Sequence, residues 1–165
     1  MKKLIIAVAL VLLTGVAFGQ KKIDNEKEMK VRADKSLEVW NTGNLSLFDE
    51  MLSPDYVYHQ VDISEDVVGI EANKELVASF RTSFPDLNVT FDELIIKGDY
   101  SVIRWTVTGT NTGPYGDLPP TGKKVKYSGV AISHVVDGKI SETWQYYNQA
   151  ALLIQLGYTI TPPEE

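Results

Sequence analysis

The chain reads as an α+β protein: N-terminal helices packed on a curved antiparallel sheet, together making a cone-shaped α+β barrel open at one end. Two observations predict this. Through the first half, apolar residues recur at three- and four-residue steps, the period of a helix face. The second half changes to β-branched and aromatic runs separated by Gly, Pro and Asp. Helices first and strands afterwards, with no internal repeat, is the order of a layered α+β domain rather than of alternating βαβ units. Too few strands are available for the sheet to close on itself. Helices laid across its concave side leave a cup suited to a small molecule.

The elements follow in order. Met1-Lys2-Lys3 is a short positive head, Leu4 to Phe18 an apolar run, and Ala17-Phe18-Gly19 offers small residues for cleavage before Gln20. Residues 1–19 are therefore expected to be a signal peptide and residues 20–165 a single exported domain, periplasmic or extracellular. An uncleaved anchor is the competing reading, set back by a run shorter than the ~20 apolar residues that a span wants. From Asn25 to Trp40, Met29, Ala33, Leu37 and Trp40 mark one helix face, ended by "NTGN" with Gly43 suited to a left-handed cap. "LSLFDEML" reads as a short second helix and "YVYHQV" as a strand. "IEANKELVASFRTSF" is a third helix, closed by Pro85. Four strands follow, "LNVTFDELIIKG", "YSVIRWTVTGT", "KVKYSGVAISHVV" and "KISETWQYYN", with "GPYGDLPPTG" as the long loop before the third. "QAALLIQLG" is a short closing helix and "TPPEE" a tail.

Removing 19 of the 165 residues leaves 146, enough to bury a sizeable core. It also removes Lys2 and Lys3, taking the formal net charge from −6 to −8. An acidic chain without a basic stripe argues against nucleic acid and against anionic membranes as partners. The chain has no cysteine, hence neither disulfides nor thiolate chemistry. Its two histidines, His59 and His134, are far apart in sequence, which argues against a zinc site. No metal and no cofactor is expected.

The turn "VVDGKI" decides which residues of the last hairpin share a face. A two-residue Asp137-Gly138 loop pairs Val136 with Lys139; a three-residue loop, with Gly138 left-handed in a bulge, shifts every pair by one. Because side chains alternate, that single unit exchanges the faces. The three-residue loop is the favoured reading. It gathers Tyr127, Gly129, Ala131 and Ser133 beside Ser141, Thr143, Gln145 and Tyr147, a small polar wall fit for a ligand. The opposite face then carries Val130, Ile132 and His134 beside Ile140, Glu142, Trp144, Tyr146 and Asn148, and Ile132, Trp144 and Tyr146 make it a candidate homodimer surface.

"FPDLNV", "VIRWTVTGT", "PPTGKKVKYSG", "VVDGKISETW" and the terminal "LLIQLG" resemble, in order and spacing, the SnoaL-like polyketide cyclase or ester cyclase family, a branch of the nuclear transport factor 2-like superfamily. The likeness runs from about Lys27 to Gly157. It implies the same cone-shaped barrel, usually oligomeric. It also implies an intramolecular aldol closure in which a pocket carboxylate, supported by a histidine, serves as acid and base without metal or organic cofactor. The family's carboxylate follows the position of Trp144, where this chain has Gln145. Its second acidic position is Asn148 here, and its histidine falls on Ala131. All three are neutral, and an amide cannot be tuned into a proton acceptor near neutral pH.

His59 is the candidate for a relocated base, since many members of the family resemble this chain in carrying a cavity-facing histidine on that strand. A ligand contact and a plainly structural histidine remain open beside it. Trp105 is read as cavity wall or core, and Tyr127 as a phenol donor to a carbonyl or as packing. Thr143, Gln145, Tyr147 and Asn148 complete the expected ligand-binding set. His134 is expected at the surface or an interface, Asp86 as a turn cap, and Arg104 as outward or paired with a carboxylate. Two functions result. One is an exported SnoaL-like enzyme on a hydrophobic carbonyl or ester compound with an altered base. The other is a secreted protein that only binds a small apolar or aromatic molecule.

Overall fold

The computed structural model describes residues 26–60, 65–159 and 161. The expected leader, the stub at 20–24 and the end of the tail lie outside the described residues. Helix α1 covers 26–42. It is followed by α2 (Leu47–Met51), β1 (Leu52–Gln60), β2 (Val67–Val68), α3 (Ile70–Ser83), β3 (Asn88–Lys97), β4 (Tyr100–Thr110), β5 (Lys124–Val136), β6 (Lys139–Tyr147) and α4 (Gln149–Leu156). The six strands form one sheet in the order β2-β1-β6-β5-β4-β3, open at both edges. Among the described residues no helix is long and apolar enough to cross a membrane.

Two features depart from the expected plain antiparallel sheet. The two-residue strand β2, which pairs antiparallel with β1, is too short to leave a periodic signal. Strand β1 also lies parallel to β6, which places an early strand beside the last one. Every other neighbour pair is antiparallel.

Helix α1 forms where its apolar stripe predicts, with Met29, Ala33 and Val39 buried. Gly43, at φ 77°, takes the left-handed cap and returns its N–H to Val39 O at 2.9 Å. The last carbonyls of that helix are taken up by α3: Arg81 Nη1 donates to Trp40 O and Asn41 O, each at 2.8 Å. A cation at a helix C-terminus also meets the negative end of its dipole. The Asn41 side chain reaches the sheet, donating to Val89 O at 3.0 Å and accepting from Val89 N at 2.7 Å. Helices α1 and α3 are thus tied to each other and to β3 by polar bonds as well as by packing.

The β5–β6 turn is the two-residue form, contrary to expectation. Val136 pairs with Lys139 across Asp137 (φ 48°) and Gly138 (φ 76°), both left-handed, as the type I′ hairpin needs. The extra residue sits later: the register shifts between Val135↔Ile140 and His134↔Glu142, leaving Ser141 as a bulge. The bulge restores the parity that the three-residue loop would have given, so Thr143, Gln145 and Tyr147 do share a face with Ala131 and Ser133. Two assignments change. Ile140 turns inward and is buried, and Ser141 sits on the bulge with Oγ donating to His134 O at 3.2 Å.

Two apolar clusters flank the interior. One gathers Phe84, Trp105, Val107, Leu152 and Leu156; the other gathers Val39, Phe48, Met51, Tyr56 and Val77. Gly129 of β5 is a tightly filled point of the sheet's concave face. A Cβ there would overlap the Trp105 ring and the Tyr146 carbonyl. Gly129→Ala is expected to lower unfolding free energy by about 1–3 kcal/mol, the range for overpacking a filled site. Denaturant unfolding measures it, and an unchanged midpoint would show that the indole can move aside.

Candidate functional site

The concave face of the sheet and the helices across it enclose a cavity of about 110 Å³, well beyond the roughly 10–15 Å³ that a single water needs. Helix α1 contributes Ser36 and Trp40, α3 contributes Asn73, Leu76, Val77 and Phe80, and the remainder comes mainly from the sheet. Strand register sets the sheet wall in rows. Gln60 lies beside Gln145, Gln145 beside Ala131, and Ala131 beside Ile103. A second row runs Tyr58, Thr143, Ser133. A third runs Tyr147, Gly129, Trp105. The small side chain of Ala131 leaves room on the wall, whereas the space over Gly129 is taken by the Trp105 ring.

The lining of this cavity carries no Asp, Glu, His, Lys or Arg among the described residues. Its polarity comes from amides, hydroxyls, phenols and the indoles of Trp40 and Trp105. Ser133 and Thr143 are hydrogen-bonded to each other at 2.9 Å, and Thr143 also meets the Tyr56 hydroxyl. Asn73 donates to Gly69 O at 2.8 Å and to Val67 O at 3.2 Å, fixing the start of α3. Burial pushes the phenols of Tyr56, Tyr58, Tyr127 and Tyr147 well above the ordinary tyrosine value, because the phenolate would lose its hydration there. These groups stay protonated and serve as neutral donors.

Trp105, Tyr127, Thr143, Gln145 and Tyr147 all line the cavity. Asn148 does not. It is exposed as the N-cap of α4, where Oδ1 accepts from Ala151 N at 2.9 Å. His59 is also outside, because side chains alternate along β1 and Tyr56, Tyr58 and Gln60 take the inner side. Its Nδ1 stands 2.9 Å from Asp66 Oδ1, and its ring stacks on Trp144 at 5.2 Å. The histidine expected to act as base therefore belongs to the outer face. His134 lies on that face too, stacked on Tyr100 at 4.4 Å.

Asp86 holds the end of β4, accepting from the backbone N–H and hydroxyl of Thr110, and those bonds pull its carboxyl below the usual range. Arg104 points outward and pairs with Asp92 at 3.2 Å and Glu93 at 3.5 Å. Among the described residues no cluster of three or more His, Cys, Asp or Glu stands together to hold a metal.

A family model of the SnoaL-like polyketide cyclases matches residues 30–156. The chain belongs to that family. Solved structures place it in the same fold. AclR from Streptomyces galilaeus matches with TM-score 0.70 and 30% identity, over 84% of this chain and 86% of its own. TsrD from Streptomyces laurentii matches with TM-score 0.72 and 25% identity, over 79% and 96%. IdmH from Streptomyces antibioticus matches with TM-score 0.64 and 26% identity, over 77% and 99%. No curated protein matches the chain.

Of the three positions where the resemblance leads one to expect acid or base residues, Gln145 and Ala131 lie side by side on the cavity wall, and Asn148 lies outside it. Reading the sequence missed Tyr56, Tyr58 and Gln60 as wall residues. The alternation in "YVYHQ" was the available signal: aromatic Tyr56 and Tyr58 claim the interior and send His59 out. If Asn148 is a cap only, Asn148→Ala is expected to cost about 1 kcal/mol of stability. Ligand affinity should then hold within about twofold. A tenfold loss of affinity by calorimetry would return the amide to the binding site.

Proposed function

We propose that this SnoaL-like protein binds an uncharged, largely apolar small molecule carrying a carbonyl or ester oxygen, and that it does not perform the aldol closure its resemblance implies. The supporting observation is the neutral wall. Removing a proton next to a carbonyl needs a base with a pKa near working pH. The cavity offers amides and protonated phenols instead, and His59, the one candidate substitute, faces away. Burying an ion against a wall without a counter-charge is costly, so neutral ligands are favoured.

On this reading the ligand is met outside the cytoplasm, after cleavage before Gln20, and two copies pair through Ile132, Trp144 and Tyr146 on the convex face. Tyr146 is 43% exposed there, more than a large ring usually leaves to water.

Mass spectrometry of protein taken from the extracytoplasmic fraction tests the first part, with a chain beginning at Gln20 and a neutral copurifying compound as the expected result. An anionic compound would overturn the neutral-ligand reading. Affinity for a neutral aryl ketone should be flat from about pH 5 to pH 9, since the wall's phenols titrate above that window. Gln145→Asp should make affinity or turnover depend on pH, and a steep profile in the unaltered protein would reveal a base that the wall lacks. For the pairing, sedimentation should give a dimer that Tyr146→Asp converts to monomer; a monomeric parent protein would refute it.

A further inference from the structure

We infer that Trp105 Nε1 and Tyr147 Oη form a two-donor site for a single carbonyl oxygen, which makes the cavity select ketones or esters over hydrocarbons of the same shape. This rests on the pocket reading above and names the atoms that would give it specificity. Trp105 is 5% exposed, lines the cavity, and its Nε1–H has no hydrogen-bond partner. An indole nitrogen can only donate, so what it lacks is an acceptor. Most buried donors in folded proteins are paired, and one left unpaired in a ligand cavity points to the ligand.

The Tyr147 hydroxyl is likewise buried and makes no bond of good hydrogen-bond geometry; the Tyr115 hydroxyl is a loose polar partner, close enough to interact with it, and a carbonyl oxygen would compete with that contact for the Tyr147 proton. Strand register brings the two rings together. Trp105 on β4 and Tyr147 on β6 are both paired with Gly129 on β5, so no side chain separates them, and their centroids are 6.1 Å apart at 58°. Tyr127 packs against both, at 5.8 and 5.6 Å, and holds the pair in place.

The chemistry of the occupant follows from what this corner lacks. A carbonyl oxygen has two lone pairs and asks for no acceptor in return. A carboxylate would bring a charge to a wall without a cation. The neighbouring hydroxyls of Ser133 and Thr143 are already bonded to each other.

The test compares 1-tetralone with tetralin, which differ by one carbonyl oxygen, by titration calorimetry on the mature protein. The ketone is expected to bind about tenfold more tightly, the effect of pairing a buried donor. Trp105→Phe and Tyr147→Phe should each cut that preference to about threefold or less. Infrared spectra of the ketone bound to the unaltered protein should show its carbonyl stretch at lower wavenumber than in hydrocarbon solvent. If Trp105→Phe fails to fold, Tyr147→Phe and the infrared shift decide. Equal binding of the two compounds with an unshifted carbonyl, as when water keeps these donors, would overturn the donor pair and leave the pocket standing. Failure of both compounds to bind would overturn the pocket reading and the pair with it.

Discussion

Side-chain parity along β6 governs the interior, and one inserted residue sets it. With the Asp137-Gly138 turn alone, alternation would carry Trp144 and Tyr146 into the cup and send Thr143, Gln145 and Tyr147 to the convex face. The Ser141 bulge reverses that assignment. It keeps Ile140 inside before the insertion and brings Thr143, Gln145 and Tyr147 inside after it. The neutral wall, the meeting of Tyr147 with Trp105 across Gly129, and the stacking of His59 on Trp144 all depend on it.

Inside the cup, polar groups divide into those already satisfied and those kept for something else. Ser133, Thr143 and Tyr56 bond among themselves, and Asn73 fixes the start of α3. Such bonds are worth modest energy each, but leaving them unmade in a dry interior would cost more. Gln60 and Gln145 sit beside each other on parallel strands, each able to donate and to accept. A wall of this kind can hold and orient a neutral molecule.

The fold class was legible because it rests on period. The 3.6-residue stripe of α1 and the alternation of β3 to β6 are strong signals over long segments, and ordered motifs tied them to one family. Less legible was anything that depends on a single residue. The choice between loop forms at Asp137-Gly138 went the wrong way, yet the face assignment survived because the bulge added the missing unit. His59 was misplaced because family likeness outweighed the alternation of Tyr56 and Tyr58 around it. Asn148 was hard to place because an Asn before a helix serves equally as a cap, and in the structure its side chain accepts from Ala151 N. The parallel pairing of β1 with β6 leaves no local trace, since residues 61–138 lie between the two segments.

That pairing has a consequence for biogenesis. Gln60 finds Gln145, and Tyr58 finds Thr143, only when the final strand exists. Strand β1 has β2 on one side and waits for β6 on the other. The two walls of the cup are joined by a contact between segments far apart in sequence, the kind of pairing that forms slowly. Until it forms, β1 presents an open edge of the sort that invites pairing with other chains. A nascent polypeptide of this design would need its first half shielded until the C-terminal hairpin arrives.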